Sequence, residues 1–471
     1  MELFPKNMNH LPKMRRRRIS CDPNNMLTSV RQKSKWRGIL LILVLLIGMS
    51  TTRAARGQAA SAGAGEVNDL PVQKEMPDPL IGGDGQRVAT PQQWSERREE
   101  MKRIIERYLT GHAPAAPAAP AAPAAPGNVQ GTQLDERTLS DGAVKFRRVR
   151  LSFGPERKLG FEIGIFIPAA AGAAGDGPFP TIVHISFDPT PGTAPPPPAP
   201  TTRPPTTQSI ERRRKFEQMA DPQFAARHYA PALERGYAVV TFHYQQCGAD
   251  DREKWHNSGF FSAYPDNDWR DLAAWAWGMS RCADFLETQD FADKSKIIAL
   301  GHSRLGKATL VAGAFDERFA LVAPAGSGCA GTGAFRFNGK ARGGKEGLED
   351  VCKNFPQWIS PNLAQFSGQV EKLPFDQHWL IALCAPRAFI AADALDDAAC
   401  NGKALKQSYL AAKPVYEFLG APQKLGIHFR PGKHELAEED WRAILDFADQ
   451  QLMGKNVARR FDQLPADELL H

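Results

Sequence analysis

Ser303 is the residue of this chain best placed to do covalent chemistry. It lies in residues 297–307, IIALGHSRLGK. An apolar run that suits a buried strand precedes it, and the small-residue stretch 308–314 (ATLVAGA) that suits a packed helix follows. A serine on such a sharp turn holds its hydroxyl clear of the sheet, beside the free N–H groups of the helix start. Those groups sit where an oxyanion develops when the serine attacks a carbonyl. The plain alternative is a capping serine on an ordinary strand–turn–helix. Gly306 falls three residues after Ser303 rather than two, and Arg304 and Lys307 are added.

A serine nucleophile needs a base, and the base needs an acid to orient it. His434 is the candidate base. It sits in RPGKHE, a Gly/Pro loop between the last expected strand and the last expected helix. The acid comes from the turn after the strand 387–392, with Asp397 the first choice, then Asp396, then Asp393. At least two of these three are expected to be a solvated acidic turn. Serine, then aspartate, then histidine is the chain order of the α/β-hydrolase fold. His184 and His243 lie inside strands and suit core or pocket walls, His302 adjoins the nucleophile, and His378 is placed to shape the pocket.

The positioning elements follow from periodicity. Residues 91–109 have helical apolar spacing, at Trp94, Met101, Ile104, Ile105 and Leu109. Segments 144–153 and 159–168 read as a hairpin at a sheet edge. Further strands are expected at 179–187, 237–244, 297–300, 319–325, 387–392 and 425–429. Helices are expected at 229–235, 268–290, 402–419 and 438–453. Strands alternating with helices predict an α/β fold with a mostly parallel central sheet flanked by helices.

Composition bounds the rest. The chain has 471 residues and a net charge of +7, but residues 1–38 carry ten Lys/Arg against Glu2 and Asp22, so the remainder is close to neutral. That removes the electrostatic case for a nucleic-acid partner. The basic segment precedes the apolar run 38–49 and then small and polar residues. This is the pattern of an export signal, and the run is short for a membrane span. Residues 1–62 are therefore expected to be a signal or an N-terminal anchor, the only membrane contact foreseen, and the protein to be periplasmic or extracellular. A catalytic domain is expected over 63–458, with Pro/Ala-rich insertions at 111–130 and 188–207 and a tail at 459–471. The seven cysteines show no metal spacing. At most one or two disulfides are expected, with Cys329–Cys352 one option. A monomer without cofactor or metal is expected.

Several stretches together resemble the glucuronoyl esterase family of carbohydrate esterases, the 4-O-methyl-glucuronoyl methylesterases. These are Gly301-His-Ser303-Arg304-Leu-Gly306-Lys307, Ser327-Gly-Cys329, Phe355-Pro-Gln-Trp358, Leu373-Pro-Phe-Asp-Gln-His378 with Ala385-Pro-Arg387, and Arg430-Pro-Gly-Lys-His434. The resemblance runs from about residue 77 to 452, interrupted by the two Pro-rich insertions. It implies an α/β-hydrolase fold, no metal, and cleavage of esters that join glucuronic acid of xylan to lignin alcohols. It assigns Ser303 as nucleophile, His434 as base, Arg304 as oxyanion donor, and Lys307 as a contact to sugar hydroxyls, with Trp358 and His378 in the substrate pocket. Two departures stand out. Many members carry a catalytic glutamate where this chain has Gly326, and commonly a sugar-stacking tryptophan where it has Ala398-Ala399-Cys400. An esterase acting on other uronate or acetyl esters, and a non-catalytic polysaccharide binder, are the competing readings.

Overall fold

The computed structural model describes residues 67–114, 129–169, 177–194, 207–339 and 346–470. The expected export segment and the middle of each Pro-rich insertion lie outside the described residues. Among the described residues no helix is long and apolar enough to cross a membrane.

The core is a nine-stranded sheet in the order β1-β2-β3-β5-β4-β6-β7-β8-β9. Its strands are β1 (Gln130–Leu139), β2 (Val144–Phe153), β3 (Leu159–Pro168), β4 (Phe179–Ser186), β5 (Ala238–His243), β6 (Ala292–His302), β7 (Phe319–Ala325), β8 (Ala388–Ala394) and β9 (Leu425–Arg430). Pairing is antiparallel from β1 to β5 and parallel from β5 through β9. The parallel strands read as unbroken apolar runs because both their faces are covered. Every residue of β4 and of β8 is buried.

The alternation of side chains across a strand feeds two cores. Ile297 and Ala299 face one, Ile298 and Leu300 the other. The helices are α1 (Pro91–Ile105), α2 (Thr207–Met219), α3 (Pro222–His228), α4 (Ala230–Leu233), α5 (Asp271–Leu286), α6 (Arg304–Phe315), α7 (Leu348–Asn354), α8 (His378–Cys384), α9 (Gly402–Phe418) and α10 (Glu438–Met453). Side chains of α5, α6, α8 and α9 fill the first core; α3, α4 and α10 fill the second.

Three expectations need correction. The β2–β3 hairpin is not at the edge, because β1 pairs outside it. β1 (QGTQLDERTL) is almost wholly exposed, so no apolar alternation announces it. Residues 459–470 are not a free tail: Phe461 and Leu470 are buried, and the Ile427 N–H donates to the Phe461 carbonyl. Finally, Cys329 and Cys352 are both free thiols.

Candidate active site

The carboxyl ends of the parallel strands form the crevice where α/β sheets place ligands. Ser303 sits at the end of β6 as the cap residue of α6, with φ +59° and ψ −129°. Its own N–H donates to the Ala325 carbonyl at 2.9 Å, which ties the turn to β7. So tight a turn needs small neighbours. A Cβ on Gly301 would lie 2.6 Å from the Leu305 carbonyl oxygen, and one on Gly306 2.7 Å from that of Ala325. The glycine three residues after the serine is therefore the one at which α6 crosses the end of β7.

His434 lies in the loop between β9 and α10. Its Nε2 is 2.8 Å from Ser303 Oγ, and its Nδ1 is 2.7 Å from Asp397 Oδ2. The second oxygen of Asp397 accepts the N–H groups of Ala399 and Cys400 at 2.8 and 3.2 Å. Burial works to raise the Asp397 carboxyl, but the His434 and backbone hydrogen bonds outweigh it and hold the group below its ordinary value. The carboxylate is thus charged, rigid and aimed at the imidazole.

The other two aspartates have different tasks. Asp396 Oδ2 accepts the Gly432 N–H at 3.1 Å, closing the histidine loop onto the end of β8. Asp393 is buried on β8, and burial plus the charge of Asp397 raises its carboxyl to about 7. Arg430, not singled out from the sequence, braces the histidine loop from below. It bonds Asp440 at 2.6 Å and donates to the carbonyls of Pro431, Lys433 and Glu435.

Arg304 follows the serine and is held on two sides. Its Nη1 bonds Asp250 Oδ2 at 2.5 Å, and its guanidinium lies 4.8 Å over the Trp358 ring. Asp250 also receives Trp358 Nε1 at 2.6 Å, Gln357 Nε2 at 3.1 Å and Tyr244 OH at 3.1 Å. Among the described residues, Nε and Nη2 of Arg304 have no hydrogen-bond partner, and the side chain is one-third exposed. Asp250 was invisible in the sequence: it is one carboxylate in a Gly-Ala-Asp-Asp loop, with no spacing to mark it.

The residues expected to touch sugar lie deeper. Lys307 is buried, with Nζ on the Ser327 carbonyl at 2.7 Å, on the Cys329 carbonyl, and 3.5 Å from Glu346. It pins the turn after β7. Trp358 is 2% exposed, stacked on Phe355 at 3.8 Å, and serves as the floor under Arg304. His378 is a correction. It is fully buried, bonds the Pro77 carbonyl at 2.8 Å, and burial lowers it to about 4. It is a neutral core residue at the start of α8, not a pocket wall.

The place of the missing glutamate is filled. Gly326 has φ +49°, and a Cβ there would lie 2.8 Å from His302 Nε2. The His302 ring packs 4.7 Å from that of His434. Burial, and next His434, lower His302 to about 4, so it stands beside the base uncharged at neutral pH.

A model of the family described as "Glucuronyl esterase, fungi" matches residues 220–420. The chain is 30% identical over 413 residues to "Carbohydrate esterase MZ0003" from an unknown prokaryotic organism, covering 80% of this chain and 90% of that relative. It is 26% identical to a "4-O-methyl-glucuronoyl methylesterase" of Schizophyllum commune, covering 81% of this chain and 84% of the other. Its fold matches the solved carbohydrate esterase family 15 glucuronoyl esterase from Caldicellulosiruptor kristjansonii with a TM-score of 0.66 and 28% identity, over 86% of this chain and 98% of that one. The sheet order, the serine turn and these likenesses agree: the chain is an α/β-hydrolase-fold carboxylic ester hydrolase and belongs to the glucuronoyl esterase family of carbohydrate esterases.

Proposed function

We propose that Ser303, His434 and Asp397 are the catalytic triad, and that they hydrolyse esters of glucuronic acid through an acyl-enzyme. The observation that carries this is the unbroken run of hydrogen bonds from Asp397 through His434 to Ser303. Ser303 Oγ attacks the C6 carbonyl carbon of the uronate while His434 Nε2 takes its proton. Asp397 keeps the Nδ1–H tautomer and stabilises the imidazolium. Charge on the carbonyl oxygen is met by the free N–H groups at the start of α6 and by Arg304, whose charged donor is stronger than a neutral one. The proton then passes to the leaving alcohol. Water repeats the sequence on the acyl-enzyme and releases the free uronate.

The relatives' printed names support glucuronate, including its 4-O-methyl form, as the acid half. We assign a lignin-type alcohol as the other half and glucuronoxylan as the carrier. The basic segment and apolar run at the N-terminus support export, and we place the protein outside the cytoplasm as a monomer. One observation favours a second reading. No aromatic residue stands in Ala398-Ala399-Cys400 beside Asp397 to stack on a sugar, which suits a broader range of uronate or acetyl esters.

Hydrolysis of benzyl glucuronate, methyl glucuronate and 4-nitrophenyl acetate by the wild-type protein and by Ser303→Ala tests both readings. Preference for the glucuronates, lost in the variant, supports the first. Preference for the acetate supports the second. Turnover unchanged in Ser303→Ala refutes the triad.

A further inference from the structure

Cys400 is buried three residues beyond Asp397, and the reaction described above does not use its thiol. Its Sγ lies 3.9 Å from His434 Nδ1, the nitrogen that faces Asp397 Oδ2 at 2.7 Å. One ligand atom from each of Asp397, Cys400 and His434 falls within 4.8 Å of the others. Thiolate, imidazole and carboxylate are the donor set of tetrahedral zinc sites. Ideal Zn–S and Zn–N bonds at a tetrahedral angle place sulfur and nitrogen about 3.5 Å apart, and nitrogen and oxygen about 3.3 Å apart. The observed sulfur–nitrogen separation is about 0.4 Å longer and the nitrogen–oxygen separation about 0.6 Å shorter than these values. Asp397 is already oriented by two backbone N–H groups on its other oxygen, the outer support that metal ligands require. The His434 side chain is 32% exposed, so the imidazole is reached from solvent, while Asp397 is 2% exposed.

We propose that Asp397, Cys400 and His434 form an inhibitory site for a thiophilic divalent cation such as Zn²⁺. The inference rests on the triad reading for its effect on catalysis, but not for the binding. On binding, the His434 Nδ1 lone pair, the Cys400 sulfur and Asp397 Oδ2 each form a bond to the ion. The proton displaced from Nδ1 is replaced by one on Nε2, and the thiol proton leaves to solvent. The ion thus locks His434 in the opposite tautomer. Nε2 then carries hydrogen, donates to Ser303 Oγ, and has no lone pair to take the serine proton. The base is lost while the rest of the site stays in place. The sulfur makes the site selective: soft thiolate ligands favour zinc over magnesium and calcium, which prefer oxygen.

The test uses the intact protein with ZnCl₂, MgCl₂ and CoCl₂, and the variants Cys400→Ala, Cys400→Ser and Ser303→Ala. Zn²⁺ should inhibit benzyl glucuronate hydrolysis, EDTA should restore it, and Mg²⁺ should have no effect. Each variant is compared with its own metal-free rate. Loss even of an outer partner of a metal ligand costs ~10–100-fold in affinity, so both Cys400 variants should need at least that much more Zn²⁺ for equal inhibition. Co²⁺ should give a thiolate-to-cobalt absorption band in wild type and in Ser303→Ala, and none in either Cys400 variant. The band is read without turnover, so a wild type inactive on glucuronates would refute the proposed function and leave the metal site decidable. Equal Zn²⁺ inhibition with and without the thiol overturns the site, as does a wild type with no cobalt–thiolate band.

Discussion

Replacing Asp250 by asparagine isolates what holds Arg304, the proposed oxyanion donor. The carboxylate is 3% exposed and takes four donors, with Arg304 on Oδ2 and Trp358 and Gln357 on Oδ1. Asparagine keeps the shape and one acceptor, but puts an NH₂ group against the guanidinium or against the indole N–H. Arg304 then loses its charged partner while its ring support on Trp358 remains. Removing an oxyanion donor outright costs ~10²–10³ in kcat. A donor displaced rather than deleted should cost less, and we expect a kcat lower by ~10–100-fold, or about 1.4–2.7 kcal/mol, with little change in KM. Arg304 is one-third exposed, so the lost ion pair by itself should cost little stability. The assay is steady-state hydrolysis of benzyl glucuronate by wild type, Asp250→Asn, Arg304→Ala and the double variant. If Asp250 acts through Arg304, its replacement does almost nothing once Arg304 is gone. A wild-type kcat in Asp250→Asn, or an effect of the same size in the Arg304→Ala background, would refute the reasoning.

Other predictions concern stability and the acid position that His302 fills. Asp271 is fully buried, and burial, then Asp250, raises its carboxyl to about 8. Its contribution to stability is complete below about pH 4 and is lost as pH rises through about 8. Asp271→Asn should therefore be more stable than wild type at pH 8.5, by ~2–5 kcal/mol on that linkage, and close to it at pH 4. Calorimetry of both proteins across this range checks it, and parallel pH curves would contradict it. Gly326→Glu should lower Tm, because a left-handed side-chain residue costs ~1–2 kcal/mol and its Cβ would meet His302. That glutamate should rescue an Asp397→Asn enzyme only when His302→Ala makes room; rescue with His302 intact would show that His302 does not occupy the position.

The chemistry was legible where it depends on chain order and the fold where it depends on apolar periodicity. Ser303, His434 and the acidic turn could be placed because the fold fixes their sequence along the sheet. The sequence ranks Asp397 ahead of Asp396 and Asp393 but leaves all three open, and coordinates separate the two neighbours by whether the carboxylate meets an imidazole or the Gly432 N–H. β7 and α10 begin and end where their apolar patterns do, whereas exposed β1 carries no such pattern. His378 was misread because a polar side chain in a site-like motif reads as exposed, yet it is fully buried and turns to the Pro77 carbonyl. Lys307 also turns inward, to backbone carbonyls. Asp250 acts through a long-range contact, 54 residues from Arg304, which no local spacing encodes, whereas Arg430 braces its own loop through partners within ten residues and shows itself only once that loop is folded.

The central claim is that Asp397, alone among three neighbouring aspartates, orients His434. Its direct test is kcat on benzyl glucuronate for Asp393→Asn, Asp396→Asn and Asp397→Asn. An Asp→Asn change in a triad leaves the histidine in the wrong tautomer and costs ~10⁴ in kcat. We predict a loss of that order for Asp397→Asn, with Asp393→Asn and Asp396→Asn close to wild type. Wild-type turnover in Asp397→Asn, or collapse of one of the other two in its place, would contradict the assignment.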